Sequence, residues 1–381
     1  MHKRKIYKAD KIILILIFGL AIYIPFLTGV IQPDKISSGV EKRNLAELPA
    51  FPQSIEELKS YPGEFNLYYS DHFGLRERLT RRYFKLLNKI GGQSSLEHVT
   101  TGKDDWLFLG SIKPGYTDYG DPIGDAVNVN LFSEKELEQF ATSITTINNW
   151  LRDRGIEYIY VIAPNKHTIY FEKLPDHITK QNKFSATDQL VAYLRKNTEV
   201  TVVDLRGVLL EEKKKHQVFH KSDTHWNHYG ANAAQFEIMK TISEIFPDRI
   251  SPVRLTQEQF KLSAKTDGDL TKIAHIESFK EYAPEPIFKN SCTPVLEETA
   301  LESNSYISSC DDKELSTVVF GDSFFVALKP YFSRNFHRFV YIPERINHST
   351  LSYFIEKNKP DIVIDEIVER ELPYIPSSSH Y

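Results

Sequence analysis

The chain has 381 residues, of which 41% are hydrophobic and 26% are charged, and its formal net charge is -4 at pH 7. This balance provides no basic footprint for nucleic acid, so we expect no nucleic-acid partner. The only cysteines are Cys292 and Cys310. They could form one structural disulfide or remain free, and neither lies near an obvious histidine base.

The N-terminal region is basic and then strongly apolar. Residues 1-11 are rich in lysine and arginine, and residues 12-31 form an uncharged stretch of mainly Ile, Leu and Phe. About 20 such residues span a bilayer as one helix. The positive-inside tendency predicts a cytoplasmic tail at 1-11, a single-pass anchor in the inner (cytoplasmic) membrane at 12-31, and a catalytic domain in the periplasm or on the extracytoplasmic face. A cleaved signal peptide is the alternative, but the stretch exceeds a usual h-region and no Ala-x-Ala site follows it.

Residues 32-130 are predicted to form a tether and an N-terminal helical region that packs on the following domain. The first part is polar without a clear period, as in an extended tether. Residues 54-90 have helical character with a break at 68-76, followed by apolar side chains at helical spacing. That stripe consists of Leu79, Tyr83, Leu86, Leu87 and Ile90.

Residues 131-381 have the alternating pattern of a single α/β domain. Helices are predicted at 133-155, 186-196, 229-245 and 349-357, and strands at 157-163, 200-204, 317-320, 339-342 and 361-364. The alternation predicts a mostly parallel sheet covered by helices on both faces. Functional side chains then gather at the carboxyl ends of the strands. Residues 246-315 interrupt the pattern and are predicted to be an insertion.

Two short polar segments carry the candidate chemistry. The strand at 317-320 leads into Gly321-Asp322-Ser323, and Asp223-Thr224-His225-Trp226 lies about a hundred residues upstream. A serine at a strand-to-helix turn has an exposed hydroxyl and needs a histidine base that a carboxylate orients. In an extended segment, residues i and i+2 point the same way, so Asp223 can hold His225 while the other ring nitrogen faces Ser323. The sequence therefore predicts a catalytic triad.

Other interpretations of these segments stay open. Gly321-Asp322-Ser323 alone is also a plain turn and helix cap. Asp223 or Thr224 could cap the following helix and leave His225 on the surface. The local density of His216, His220, Asp223, His225 and His228 suggests zinc, but the spacing fits no standard zinc pattern. We predict neither a metal nor a cofactor.

Three further residues are candidates for the cleft. Asn165 follows a strand and a proline, so its amide could join the Ser323 backbone N–H as an oxyanion donor, although an Asx-turn fits equally well. Lys166 could act electrostatically on bound substrate. Trp226 could stack on a sugar ring, and packing of the loop is the alternative.

Eight segments in the same order resemble the SGNH-hydrolase-like polysaccharide O-acetyltransferases of the AlgX/AlgJ type, which act in alginate O-acetylation. They are Glu41–Pro49, Asp71–Arg76, Gly102–Phe108, Pro164–Lys166, Asp223–Trp226, Gly268–Leu270, Gly321–Ser323 and Lys359–Arg370. The resemblance implies an SGNH-like three-layer α/β/α fold with its serine after its Asp-His pair, and it places the family's triad on Asp223, His225 and Ser323.

The resemblance also implies a function. We expect a membrane-anchored enzyme that moves acetyl groups to hydroxyls of an exported polysaccharide, with a multispanning membrane acyltransferase as acetyl donor. The chain stops soon after Arg370, so we expect no C-terminal carbohydrate-binding module of the kind some relatives have. An esterase with the same triad and a non-catalytic polysaccharide-binding subunit are the alternatives. The sequence identifies neither the polysaccharide nor the donor.

Overall fold

The structure is a computed structural model. It describes residues 2–31, 37–38, 43–75, 79, 82, 98–110, 121–265, 267–274, 276, 279–289, 292–297, 305–376 and 381. These residues fall into two compact units, one comprising Met1–Ser95 with Lys272–Glu277 and the other Leu96–Thr271 with Ser278–Tyr381. The domain boundaries expected from the sequence stay a prediction.

The first unit contains two long helices and a short ribbon. Its helix α1 (His2–Ile31) is followed by the antiparallel pair β1 (Ser37–Ser38) and β2 (Arg43–Asn44), and then by α2 (Ile55–Asp71). Within α1, Lys11–Gly29 has the length and composition of a membrane crossing, a property that signal sequences share. The end of α2 agrees with the predicted break at 68-76. Of the apolar stripe predicted beyond the break, residues 83-90 lie outside the described residues.

The second unit is built on a seven-stranded sheet. Its strands are β5 (Glu157–Ala163), β6 (Thr201–Asp204), β9 (Val295–Leu296), β10 (Tyr306–Ser309), β11 (Ser316–Phe320), β12 (Arg338–Ile342) and β13 (Ile362–Val368), in the order β6-β5-β13-β11-β12-β10-β9. The first five strands in this order are parallel, and β10 and β9 add an antiparallel edge. The mostly parallel sheet that the sequence predicts is therefore confirmed.

Helices cover both faces of this sheet. Their bounds are α3 (Pro122–Ala126), α4 (Glu134–Arg152), α5 (Lys166–Ile169), α6 (Ala186–Asn197), α7 (Arg206–Lys213), α8 (His228–Ile245), α9 (Asp269–Ile273), α10 (Lys329–Phe332) and α11 (His348–Asn358). Alternate residues of β5 enter opposite cores: Ile159 and Val161 pack in the core with α8, whereas Tyr158 and Ile162 pack in the core with α4, α6 and α11. This period of two produces the three layers.

The predicted helices and strands of the domain are confirmed within three residues, except for the last strand. The capping box predicted at Ser133 and Glu136 is present at the start of α4. The sequence predicts that the last strand ends at Ile364. The strand β13 instead continues to Val368, with the carboxyls of Asp365 and Glu366 buried. Burial raises the pKa of Asp365 to about 6 and that of Glu366 well above its usual value, so the neutral forms fit the core.

The insertion predicted at 246-315 contains ordered structure. An antiparallel hairpin of β7 (Phe260–Lys265) and β8 (Glu281–Pro286) flanks the short helix α9, and β9 and β10 join the main sheet. A disulfide joins Cys292 to Cys310 across this segment, with 6.0 Å between the Cα atoms. A second hairpin, β3 (Val99–Thr101) and β4 (Leu107–Leu109), belongs to the same unit.

Candidate active site

The structure brings Ser323, His225 and Asp223 into one hydrogen-bonded relay. The Ser323 Oγ lies 2.7 Å from His225 Nε2, and His225 Nδ1 lies 2.6 Å from Asp223 Oδ1. Exposure falls along the relay, because Ser323 is exposed whereas Asp223 is mostly buried. A nucleophile that solvent reaches, a base, and a sheltered carboxylate are the arrangement that nucleophilic acyl transfer requires.

The Asp-His loop has a different backbone from the extended segment expected from its sequence. Phe219 and Trp226 form an antiparallel bridge, and a series of bends separates them. The Oδ1 atom of Asp223 accepts hydrogen bonds from both the backbone N–H and the ring Nδ1–H of His225. This Asx-turn aims the ring because one oxygen holds the residue at two points. Asn227 then caps α8 by accepting from the N–H groups of Tyr229 and Gly230.

The serine turn rests on the neighbouring strand β13. Asp322 caps the 3-10 helix that starts at Ser323: its Oδ1 accepts from Phe324 N at 2.8 Å and its Oδ2 from Val368 N at 2.8 Å. Glu366 accepts from Asp322 N at 3.2 Å. A Cβ at Gly321 would lie 2.8 Å from Glu366 Oε2, so glycine permits this close approach. The turn places Ser323 at the carboxyl end of β11, as the sequence predicts.

The two carboxyls beside His225, those of Asp223 and Asp269, have pKa values shifted in opposite directions. Burial alone would raise the pKa of Asp223, but its hydrogen bond to His225 and the charges of His225 and Lys265 hold that pKa well below the usual range. The Lys265 ammonium lies 3.1 Å from Asp223 Oδ2. Burial, with the Asp223 charge, raises the pKa of Asp269, whose Oδ2 lies 3.7 Å from His225 Nδ1. Asp223 is therefore the carboxylate that stays ionised.

Lys166 lies beneath the Asp-His loop. It is 2% exposed, and its ammonium donates to the backbone carbonyls of Leu107 at 2.5 Å, Lys221 at 2.9 Å and Asp223 at 3.0 Å. An ammonium has three protons to donate. Burial lowers the pKa of Lys166 to about 7. These contacts favour a role in holding the loop, and contact between Lys166 and substrate stays a prediction.

Trp226 joins the two halves of the site. It is 1% exposed, its Nε1 donates to the Phe324 carbonyl at 3.1 Å, and its ring meets the Phe324 ring edge to face at 5.2 Å. Trp226 and Phe324 are the residues that follow His225 and Ser323. The contacts favour the packing interpretation over stacking on a sugar ring.

Asn165 lies at the end of β5, where its backbone N–H donates to Glu369 Oε2 at 2.7 Å. Arg370 donates to its Oδ1 at 3.2 Å. Its Nδ2 is buried and has no hydrogen-bond partner among the described residues. The Asn165 side chain makes no cap hydrogen bond, which argues against the Asx-turn, and the oxyanion contact stays a prediction.

The dense histidines do not converge on one point. His216 stacks on Tyr229, and His220 Nδ1 lies 3.6 Å from Glu281. Within the described part of the chain, the one group of potential ligand atoms around the relay is Asp223, His225 and Asp269, which lie within 4.8 Å of one another. Lys265 already supplies positive charge there, and we assign no metal to it.

Three residues of the 246-315 segment were missed as contributors to this site. Lys265 and Asp269 contact Asp223, and Glu281 accepts from the backbone N–H groups of Lys221 and Ser222 at 2.8 and 3.4 Å. A Cβ at Gly268 would lie 2.1 Å from the Ser222 carbonyl oxygen, so a glycine is needed where the segment meets the loop. The Gly268–Leu270 motif was the sequence feature that could have identified this contact with the loop.

Two probable alginate O-acetylases are similar to this chain over part of its length. It is 27% identical over 240 residues to the probable alginate O-acetylase AlgJ of Pseudomonas syringae pv. tomato, covering 61% of this chain and 56% of the relative. It is 25% identical over 231 residues to the probable alginate O-acetylase AlgJ of Pseudomonas fluorescens, covering 60% of this chain and 52% of the relative. The chain thus spans about half the length of these relatives.

Comparison with solved structures supports the fold. Bacillus cereus PatB1, solved with a sulfonyl adduct, superposes with a TM-score of 0.50 at 17% identity, covering 73% of this chain and 100% of PatB1. A family model described as an SGNH hydrolase-like domain, acetyltransferase AlgX, matches residues 99–340, which is more than half of the chain. The fold, the motifs and this match together establish that the chain belongs to the SGNH hydrolase-like acetyltransferase family of AlgX.

Proposed function

We propose that this protein is a membrane-anchored O-acetyltransferase that transfers acetyl groups to hydroxyls of an exported polysaccharide through Ser323, His225 and Asp223. The observation that carries the proposal is the continuous relay of 2.7 and 2.6 Å contacts, which ends at an exposed serine in a domain of an acetyltransferase family. Curated relatives named as probable alginate O-acetylases support a polysaccharide acceptor.

The first half-reaction forms an acetyl-enzyme. Ser323 Oγ attacks the carbonyl carbon of the acetyl donor while His225 Nε2 accepts the hydroxyl proton. The bond between that carbon and the leaving group breaks, and the leaving group takes the proton from His225. Asp223 keeps the other ring nitrogen protonated and stabilises the imidazolium that forms transiently.

The second half-reaction moves the acetyl group to the acceptor. A sugar hydroxyl donates its proton to His225 Nε2 and attacks the acetyl carbon. The bond to Ser323 Oγ breaks, and Oγ recovers a proton from His225. Transfer prevails over hydrolysis when the sugar hydroxyl occupies the site in place of water.

The negative charge that develops on the carbonyl oxygen needs donors near Ser323. The Ser323 N–H belongs to the first turn of its 3-10 helix, where backbone N–H groups have no helical partner. The unpaired Nδ2 of Asn165 is the second donor in this proposal. Arg370 orients that amide by donating to its oxygen.

An anchor at residues 12-31 would hold the catalytic domain on the periplasmic face of the inner membrane. The apolar helix Lys11–Gly29 supports this placement. The Cys292–Cys310 disulfide also supports a periplasmic domain, because disulfides persist in oxidising compartments. Cytosolic acetyl donors would not reach Ser323 there. A multispanning membrane acyltransferase that passes acetyl groups outward is therefore the proposed donor partner.

The test uses the full chain in detergent, with 4-nitrophenyl acetate as donor and an alginate oligosaccharide as acceptor. Mass spectrometry measures acetylated oligosaccharide, and acetate release is measured in parallel. We expect acetylated sugar from the unchanged chain and a loss of about 10⁴-fold or more in Ser323→Ala. Ser251→Ala, at an exposed position, is the matched control.

The outcomes separate the candidate functions. Acetate without acetylated sugar would identify an esterase. Equal turnover by Ser323→Ala and the control would remove the catalytic role of the serine. No turnover by the unchanged chain would leave a polysaccharide-binding subunit.

A further inference from the structure

Asp269 is a buried carboxyl beside the relay that the proposed mechanism does not use. It comes from the segment between the Asp-His loop and the serine strand, at the start of α9. Among the described residues, it is the second carboxyl within 4 Å of His225 Nδ1. Its hydrogen bonds are to residues of the Asp-His loop.

The Asp269 carboxyl accepts two hydrogen bonds from Thr224, the residue between Asp223 and His225. Its Oδ1 accepts from Thr224 N at 2.8 Å, and its Oδ2 accepts from Thr224 Oγ1 at 2.5 Å. In the reverse direction, the Asp269 backbone N–H donates to Asp223 Oδ2 at 3.3 Å. Thr224 therefore has little freedom to rotate, and the residues on either side of it are fixed with it.

We propose that Asp269 is a positioning residue for the base: it clamps Thr224 so that His225 stays aligned with Ser323. The proposal rests on the acyl-transfer function proposed above. Asp223 Oδ1 holds His225 at its ring and at its backbone N–H, and the Thr224 clamp fixes the residue between them. Small losses of alignment at a nucleophile and base cost large factors in rate.

The hydroxyl that Asp269 holds is also a neighbour of the imidazole ring. Thr224 Oγ1 lies 3.2 Å from His225 Nδ1 and donates to Asp269 Oδ2. Asp269 therefore fixes both the backbone before His225 and a polar group beside its ring.

The test compares Asp269→Ala and Asp269→Asn with Asp248→Ala in the full chain in detergent. Asn keeps an oxygen that can accept from Thr224 N, whereas Ala keeps none, and Asp248 is exposed and remote from the relay in sequence. The readouts are kcat and KM for 4-nitrophenyl acetate and the rate at which a sulfonyl fluoride modifies Ser323. We expect Asp269→Ala to lower kcat and the modification rate about tenfold, and Asp269→Asn to recover most of that loss. The control should match the unchanged chain.

A second variant tests the other end of the clamp. Thr224→Val deletes the hydroxyl that donates to Asp269 and keeps the backbone contact, so kcat and the modification rate should fall about threefold or more. Rates of Asp269→Ala or of Thr224→Val equal to the control would overturn the inference. Failure of the proposed function has a different signature, because Ser323→Ala would then turn over the ester as fast as the unchanged chain.

Discussion

The serine turn and the Asp-His loop meet at one hydrogen bond, but they are built in different ways. Ser323 follows directly after β11, and its turn is supported by β13, the strand paired with β11. Asp223 lies nearly twenty residues beyond β6, and its loop is supported by Lys166 from one side and by the 246-315 segment from the other. The serine is placed by the sheet, whereas the base is placed by side chains distant in the sequence.

This difference predicts which substitutions will reduce activity most. Backbone pairing of β11 with β13 tolerates changes of side chain, because the N–H and carbonyl groups remain, and the turn itself adds the two carboxyls of Asp322 and Glu366. The loop depends on a few charged side chains, and each has buried partners that would be left unpaired without it. We therefore expect substitutions around the loop to reduce activity more than comparable substitutions under the serine turn.

The largest effect is expected for Asp223→Asn. The amide can leave His225 in the wrong tautomer, and its partner Lys265 loses a counter-charge, so kcat should fall by about 10⁴-fold with the fold retained. Ester turnover and the thermal midpoint of the full chain measure this. A loss below tenfold would mean that Asp269 or another group orients the base.

The next effect concerns the support of the loop. Lys166→Met should lower the free energy of unfolding by about 1–3 kcal/mol, because three buried carbonyls lose their donor. Urea denaturation of the full chain measures it, with the exposed Lys261→Met as control. Equal stability of the two variants would show that the loop does not depend on this ammonium.

Activity should be less sensitive to substitution of Trp226, which connects the Asp-His loop to the serine turn. Trp226→Phe removes the Nε1–H donor to the Phe324 carbonyl and keeps an aromatic ring, so kcat/KM should fall about tenfold while the thermal midpoint changes little. Trp150→Phe is the matched control, because this partly buried ring of α4 contacts His348 and Tyr381 and none of the relay residues. An unchanged kcat/KM would mean that the two halves are aligned without this bond.

The smallest effect at neutral pH is expected under the serine turn. Burial and the Asp322 charge raise the pKa of Glu366 well above its usual value, so Glu366→Gln replaces a neutral acid by a neutral amide. A folded-state pKa above the unfolded value stabilises the fold below the unfolded pKa, and this stability is lost as pH rises toward the folded pKa. The variant should therefore lose less stability than the unchanged chain as pH rises above about 4.3.

Thermal unfolding of both proteins from pH 5 to 9 measures this difference. Asp223 has the opposite sign: its pKa is lowered, so its contribution is full above the unfolded value and is lost as pH falls below about 4. Identical pH dependence of Glu366→Gln and the unchanged chain would mean that Glu366 titrates normally in the folded state.

The sequence by itself determined the elements and the chemistry of the relay. Apolar periodicity and the Ser133 capping box identify α4, an uninterrupted apolar run identifies β5, and Gly321-Asp322-Ser323 after a buried strand identifies the turn. These features are local, because side-chain spacing and capping act over a few residues. Only the tertiary structure decided that β13 runs through Asp365 and Glu366, that Trp226 and Lys166 are buried, and that Lys265 and Asp269 contact Asp223. Those outcomes depend on which distant groups desolvate and bond one another, and no local pattern of residues encodes that pairing.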